Sequence, residues 1–182
     1  MRKMGPRWEV SCVVVLNWSR ISDANKLRRY SHCMTTEKQQ LKLERVLKAP
    51  RATVWSAWTE VPVLVQWFAP DGWTVRESDA VIDARVGGRE HFVMHSIENP
   101  DMQSPVDAVF VEVREPELLV GQTEATPQNG GNVMELRVEL EEVDAETTLM
   151  KVSQGPYDAE ILPLAQEGWG STLRKLEALL AK

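Results

Sequence analysis

The segment "LPLAQEGWGSTLRKLEALLAK", residues 162–182, constrains the fold more than any other. Ala165, Trp169, Leu173, Leu176 and Leu180 recur at i, i+4, i+8, i+11 and i+15, which sets them along one face of a single long helix. Lys175 and Lys182 lie towards its end, where a cation complements the helix macrodipole. Every other periodic segment is shorter. "QLKLERVLKAP" alternates, with Leu41, Leu43 and Val46 among charges, and predicts a half-buried strand from Gln39 ended by Pro50. Pro50 then opens a short helix with Val54, Trp55 and Trp58 at apolar spacing. "VPVLVQWFAP" predicts a second short helix, bounded by Pro62 and Pro70. Strands follow at Thr74–Ala84, Arg89–Ser96, Val106–Arg114, Leu118–Glu124, Val133–Val143 and Thr147–Ser153, with turn residues between them. Short consecutive strands joined by tight turns favour an antiparallel sheet. One face of such a sheet must be covered, and only the terminal helix is long enough to do it. The class is therefore α+β, with about six to seven strands, two short helices after the first strand and a long C-terminal helix.

A chain of 182 residues, 43% apolar and 26% charged, suits one domain with an appendage and can bury a core without disulfides or metal. Residues 1–36 show no sustained period and predict a poorly ordered N-terminal appendage, with 37–182 as the domain. Met34, opening "MTTEKQQLKLERVLKAP", is the expected natural initiator; a short extra strand in "WEVSCVVVL" is the rival reading. From Met1 to Cys33 the net charge is +5, and the remainder carries −11 of the overall −6. An acidic body offers no footprint for nucleic acid and is repelled by anionic membranes. Both cysteines, Cys12 and Cys33, lie in the appendage, so nothing demands an oxidising compartment and a cytoplasmic location is expected. No apolar run reaches the ~20 residues of a membrane-spanning helix.

Three of the seven tryptophans, Trp55, Trp58 and Trp67, fall within residues 53–68. A buried indole fills a large volume and needs a partner for its N–H. With Trp169 these rings read as core anchors; the functional reading is that Trp67 and Trp169 face a ligand space. "GGREHFVMHS", residues 87–96, is more pointed. Gly87 and Gly88 relax the backbone at a bend. Alternation then places Glu90, Phe92 and Met94 on one face and Arg89, His91, Val93 and His95 on the other. Phe92 and Met94 mark theirs as the inner face, so Glu90 points inward. A carboxylate there is costly unless it is paired or neutral. Three readings stand: it escapes to solvent at the strand's end, it forms an internal salt bridge, or it is a polar contact or general base for a ligand. His91 and His95, four apart on a strand, lie ~13 Å apart, too far to share a metal. Gly168 and Gly170 flank Trp169 and predict either close approach to the sheet or room left for something else. No nucleophile elbow, phosphate loop, zinc signature or redox cysteine pair is present, so no metal, cofactor or catalytic residue is assigned.

"TVWSAWTEVPVLVQWFAPDGW", "VGGREHFVMHS", "VFVEVREPELLV" and "EGWGSTLRKLEALL", in that order, resemble the SRPBCC proteins of the activator of heat-shock-protein-90 ATPase homologue type. These are START/Bet-v-1-like helix-grip domains, and the resemblance runs from about Gln39 to Ala181. It implies a curved antiparallel sheet gripping the terminal helix, with a cavity between. It further implies that Trp67, Phe68, Glu90, Phe92, Met94, Phe110, Trp169 and Leu173 contact a ligand. An inward Glu90 departs from the aromatic residue common at that place in the family. The expected function is an intracellular binding module for a small hydrophobic ligand, working as a monomer or homodimer. The alternatives are a protein-interaction domain that activates a chaperone ATPase, and cyclase or hydrolase chemistry by cavity polar groups. Of these, the non-enzymatic readings are favoured.

Overall fold

The order of elements in the computed structural model, which describes residues 38–99, 101–125 and 131–181, is one strand, two short helices, six strands and a long helix. They are β1 (Lys38–Leu47), α1 (Arg51–Thr59), α2 (Val61–Leu64), β2 (Trp73–Ile82), β3 (Arg89–Ser96), β4 (Gln103–Arg114), β5 (Leu118–Gln122), β6 (Glu135–Asp144), β7 (Thr147–Asp158) and α3 (Leu162–Leu180). The expected appendage, its initiator Met34 and the rival strand lie outside the described residues, as does Lys182.

All seven strands form one antiparallel sheet in the order β1-β7-β6-β5-β4-β3-β2. From β2 to β7 the sheet is a simple meander. The two helices after β1 carry the chain across to the far edge, and β7 returns beside β1. The sheet curves round α3, whose buried face includes Ala165, Trp169, Leu173 and Leu176, four of the five positions read from the periodicity. Leu180, the fifth, is only half-buried. This is the helix-grip architecture.

Differences from the sequence reading have local causes. The second helix closes after one turn, and Pro62 sits within its first turn rather than before it. Donors in a first turn are unpaired in any helix, so a proline there loses nothing. β4 starts at Gln103, three residues earlier than its pattern suggested, and contains Pro105. Pro105 is tolerated because β5 pairs with β4 only from Val109 onward, which leaves the first half of β4 with β3 alone beside it. β7 runs past its expected end at Ser153, through Gly155 and Pro156 to Asp158, because β1 pairs with it that far, Lys38 opposite Asp158. Lys175 does not act on the helix end. Its ammonium donates to the Ala69 and Pro70 carbonyls at 3.0 and 3.1 Å, and partial burial lowers its pKa. With the Asp71 N–H donating to Ser171 Oγ at 3.3 Å, it ties the segment after α2 to α3.

The turn from β2 to β3 is built on its glycines. Gly87 has φ +79°, and a Cβ on Gly88 would lie 2.0 Å from the Asp83 carbonyl oxygen. Gly87 N donates to Phe110 O, and Phe110 N to Gly88 O, so the turn also extends the sheet to β4.

Candidate ligand-binding site

The aromatic residues collect at one end of the space under α3. The Trp58 and Trp67 rings meet edge to face at 4.9 Å, and Trp58 stacks on Trp169 at 6.2 Å. Phe68 packs edge-on against Trp169 at 5.7 Å and Phe92 at 4.8 Å. Such pairs add roughly 0.5–1.5 kcal/mol each beyond area burial. Trp67 Nε1 donates to the Ala57 carbonyl at 2.9 Å, which locks α2 onto α1. Trp169 Nε1 donates to Gln154 Oε1 at 2.7 Å, and the same oxygen accepts from the Tyr157 hydroxyl, whose pKa burial pushes up. Gln154 thus fixes the helix tryptophan to β7.

Beyond these rings the interior is hollow. A cavity of about 700 Å³ lies between the sheet and α3. That is the size of a pocket that encloses a drug-sized molecule. Phe68, Phe92, Met94, Met134, Leu136 and Trp169 line it with apolar surface. Its floor is low because two strand positions there are small. Ala108 stands opposite Glu90, and Gly121 opposite Phe110. The way out follows from the pairing. Among the described residues, exposed Pro105 and Asp107, where the first half of β4 lacks β5, line the cavity together with the Val109–Gln122 pair at the end of β5 and with Thr123 and Glu124 beyond it.

Glu90 lies inside. It is 5% exposed, so it does not escape to solvent at the strand's end. It has no hydrogen bond or ion pair among the described residues, so no internal salt bridge accounts for it either. Its carboxylate extends over the small floor, 3.6 Å from where a Cβ on Gly121 would stand. Burial raises its pKa to about 7. A group in this state can accept a hydrogen bond as a carboxylate or donate one as an acid within the physiological range.

Of the residues read as ligand contacts, Phe68, Glu90, Phe92, Met94 and Trp169 come together on the cavity wall. Trp67, Phe110 and Leu173 are buried behind it, outside the lining. Trp67 in particular is a core anchor, its ring turned to α1. Ala108, Gly121, Gln154 and Thr172 line the cavity and were not singled out from the sequence. A small residue inside an apolar strand is the available signal for the first two. Gln154 lay past the expected end of its strand.

Arg89, His91 and His95 alternate along β3 with Glu90, Phe92 and Met94 and have partners on neighbouring strands; Arg89 also reaches the cavity's edge, and His95 is buried. Arg89 forms a two-pronged pair with Asp107, its Nε 2.9 Å from Oδ1, and the pair holds the Asp107 carboxyl below its usual range. His91 Nδ1 is 3.4 Å from the other oxygen of Asp107. His95 Nε2 is 2.7 Å from Asp79 Oδ2, and the Ser78 hydroxyl together with His95 lowers the Asp79 pKa. Among the described residues no three His, Cys, Asp or Glu side chains cluster as a metal site would require, and no helix is long and apolar enough to cross a membrane.

A curved antiparallel sheet gripping a C-terminal helix over an internal cavity defines a helix-grip domain. The sequence profile described as Activator of Hsp90 ATPase homolog 1-like protein matches residues 48–181, and the chain belongs to that family. Among solved structures it is similar to a protein from Nitrosomonas europaea, at 29% identity over 78% of this chain and 94% of the other, with a TM-score of 0.65. An AHSA1 protein from Silicibacter pomeroyi is 23% identical over 79% of this chain and 98% of its own, with a TM-score of 0.65. A protein from Chromobacterium violaceum is 21% identical over 79% and 99%, with a TM-score of 0.67. The last two likenesses concern the fold alone. The comparison with curated proteins gives no match.

Proposed function

We propose that this protein is a cytoplasmic binding module for a small hydrophobic ligand, held between the sheet and α3. The observation that carries this reading is a cavity of about 700 Å³ with a largely apolar wall and a way out past the end of β5. A solid scaffold has no use for such a void, because each unfilled position forfeits packing energy. Phe68, Phe92, Met94 and Trp169 are the apolar contacts, and Glu90 is the polar one. Trp67, Phe110 and Leu173 act from behind, by holding the wall in place. Burying roughly 300 Å² of ligand at ~25 cal/mol per Å² gives a gross ~7 kcal/mol before ordering costs. That corresponds to binding in the micromolar range. The cytoplasmic placement is supported by a body that contains no cysteine after Cys33.

Displacement of a fluorescent apolar probe, followed by native mass spectrometry of the complex, tests the reading. One probe per chain, competed off by other apolar molecules, is expected; failure of every apolar probe to bind would overturn it. A second reading has the acidic body behind it. A net −11 after Cys33 could steer a basic surface of a chaperone ATPase. Salt-sensitive capture of such an ATPase, together with stimulation of its turnover, is the expected result under that reading.

A further inference from the structure

We propose that the ligand is an apolar molecule carrying a protonated amine, and that Glu90 holds the amine. The inference rests on the cavity being a ligand site and adds the chemistry of what occupies it. Four observations carry it.

First, Glu90 is a carboxyl group 95% removed from solvent, aimed into a cavity and without a partner among the described residues. Its oxygens are not among the fully enclosed unpartnered atoms, so they meet the open space of the cavity, where a ligand can reach a carboxyl that the fold itself does not pair. Second, the residues around it make room at its oxygens instead of filling the space. Ile82 and Ala108 stand opposite it on β2 and β4, and Gly121 lies beneath its Oε2. A larger side chain at either small position would occupy the place where a ligand group meets the carboxylate.

Third, the lining offers no free cation. Among the described residues Arg89 is the only basic one on it, and its guanidinium is clamped by Asp107. An anionic amphiphile such as a fatty acid would therefore bring a second uncompensated negative charge beside Glu90. Fourth, the way in is acidic. Asp107 and Glu124 both line the cavity, against the single Arg89, on a chain whose net charge is −6. A negative mouth raises the local concentration of cations and repels anions. An uncharged alcohol would satisfy one lone pair but leave the carboxylate charge unbalanced, whereas an ammonium supplies both donors and countercharge.

The other charged side chains on the lining among the described residues, Arg89, Asp107 and Glu124, sit at the mouth, and none is paired with Glu90. Besides Ile82, Ala108 and Gly121, α3 presents Trp169 and Thr172 to the cavity, β6 presents Leu136, and β7 presents Gln154. Amine binding should accordingly follow the ionisation of this one group.

Three probes that share a naphthylmethyl skeleton and end in an amine, an alcohol or a carboxylate provide the test. Titration calorimetry is run on the full chain at high salt, where attraction to the acidic surface is screened. The wild type should bind the amine at least about tenfold more tightly than the alcohol, with the carboxylate weakest. Glu90→Gln should reduce amine affinity to that of the alcohol and leave the alcohol within about threefold of its wild-type value. In the wild type alone, amine affinity should weaken as the pH falls from about 8 to about 5.5, while alcohol affinity stays level. If the alcohol or carboxylate matches the amine, or if neither the substitution nor the pH moves amine binding, the amine inference fails and the apolar-ligand reading stands. If no probe binds either protein, both fail.

Discussion

The two ends of the space beneath α3 share one helix and one sheet, yet one is solid and the other hollow. At the α1–α2 end, Trp58, Trp67, Phe68 and Trp169 interlock with ring centroids 4.9 to 6.2 Å apart. At the other end, Ala108 and Gly121 form the floor, and a cavity of about 700 Å³ remains. Bulky rings fill the first end and act as a prop there, because side chains of that size cannot be compressed, whereas small residues leave the second end open. The hollow is thus a product of side-chain volume set out unevenly along one surface.

The largest test of this contrast is at the prop. Trp58→Ala should cost about 3–5 kcal/mol in urea unfolding, since the neighbouring rings cannot collapse into the space. A loss under about 1 kcal/mol would mean that the aromatic end is no more tightly packed than the cavity. Next comes the carboxyl in the hollow. The pKa of Glu90 rises from 4.5 to about 7 on folding, so the native state holds its proton more tightly than the unfolded chain. Native stability is therefore highest below about pH 4.5 as far as this group is concerned, and falls as the pH rises to about 7. Above that, the penalty levels off at about 3 kcal/mol. Glu90→Gln should raise stability by that order at pH about 8 and by almost nothing at pH about 4. Equal effects at both values would show that the carboxyl is not desolvated.

Smaller effects sharpen the same comparison. Ala57→Leu, at the solid end, should cost about 1–3 kcal/mol through overpacking, whereas Ala108→Leu should cost less than about 1 kcal/mol and abolish probe binding. Thermal melts of the pair, read beside probe titrations, decide this; equal destabilisation would argue against the hollow. The smallest effect is at Gly170, where an added methyl would meet only the end of Arg174 at 3.9 Å. Gly170→Ala should stabilise α3 by up to ~1 kcal/mol, so of the two readings of that glycine, close approach to the sheet does not apply.

The strand and helix series was legible because periods of two and of 3.6 residues differ plainly along this chain. The inner face of β3 was legible for the same reason: Phe92 and Met94 carry Glu90 inward with them. What could not be read was Trp67's direction, since one short helix turn gives too little periodicity to say which way an indole points. The ends of β4 and β7 were missed where a neighbouring strand, not local residues, decides whether proline or glycine is allowed. The resemblance sets Phe110 and Leu173 at the ligand, and depth behind the wall leaves no mark in a sequence pattern.

By itself, the sequence determined the order and kind of the elements, the face each strand buries, and the presence of an acid among apolar neighbours. These are local properties, set by which side of a strand or helix a residue occupies. Only the tertiary structure decided that, among the described residues, the acid has no partner and β5 stops short beside β4, and that small residues from two strands meet beneath Glu90. Those facts join residues up to 31 positions apart, Glu90 and Gly121, and arise from strand pairing and side-chain volume in three dimensions.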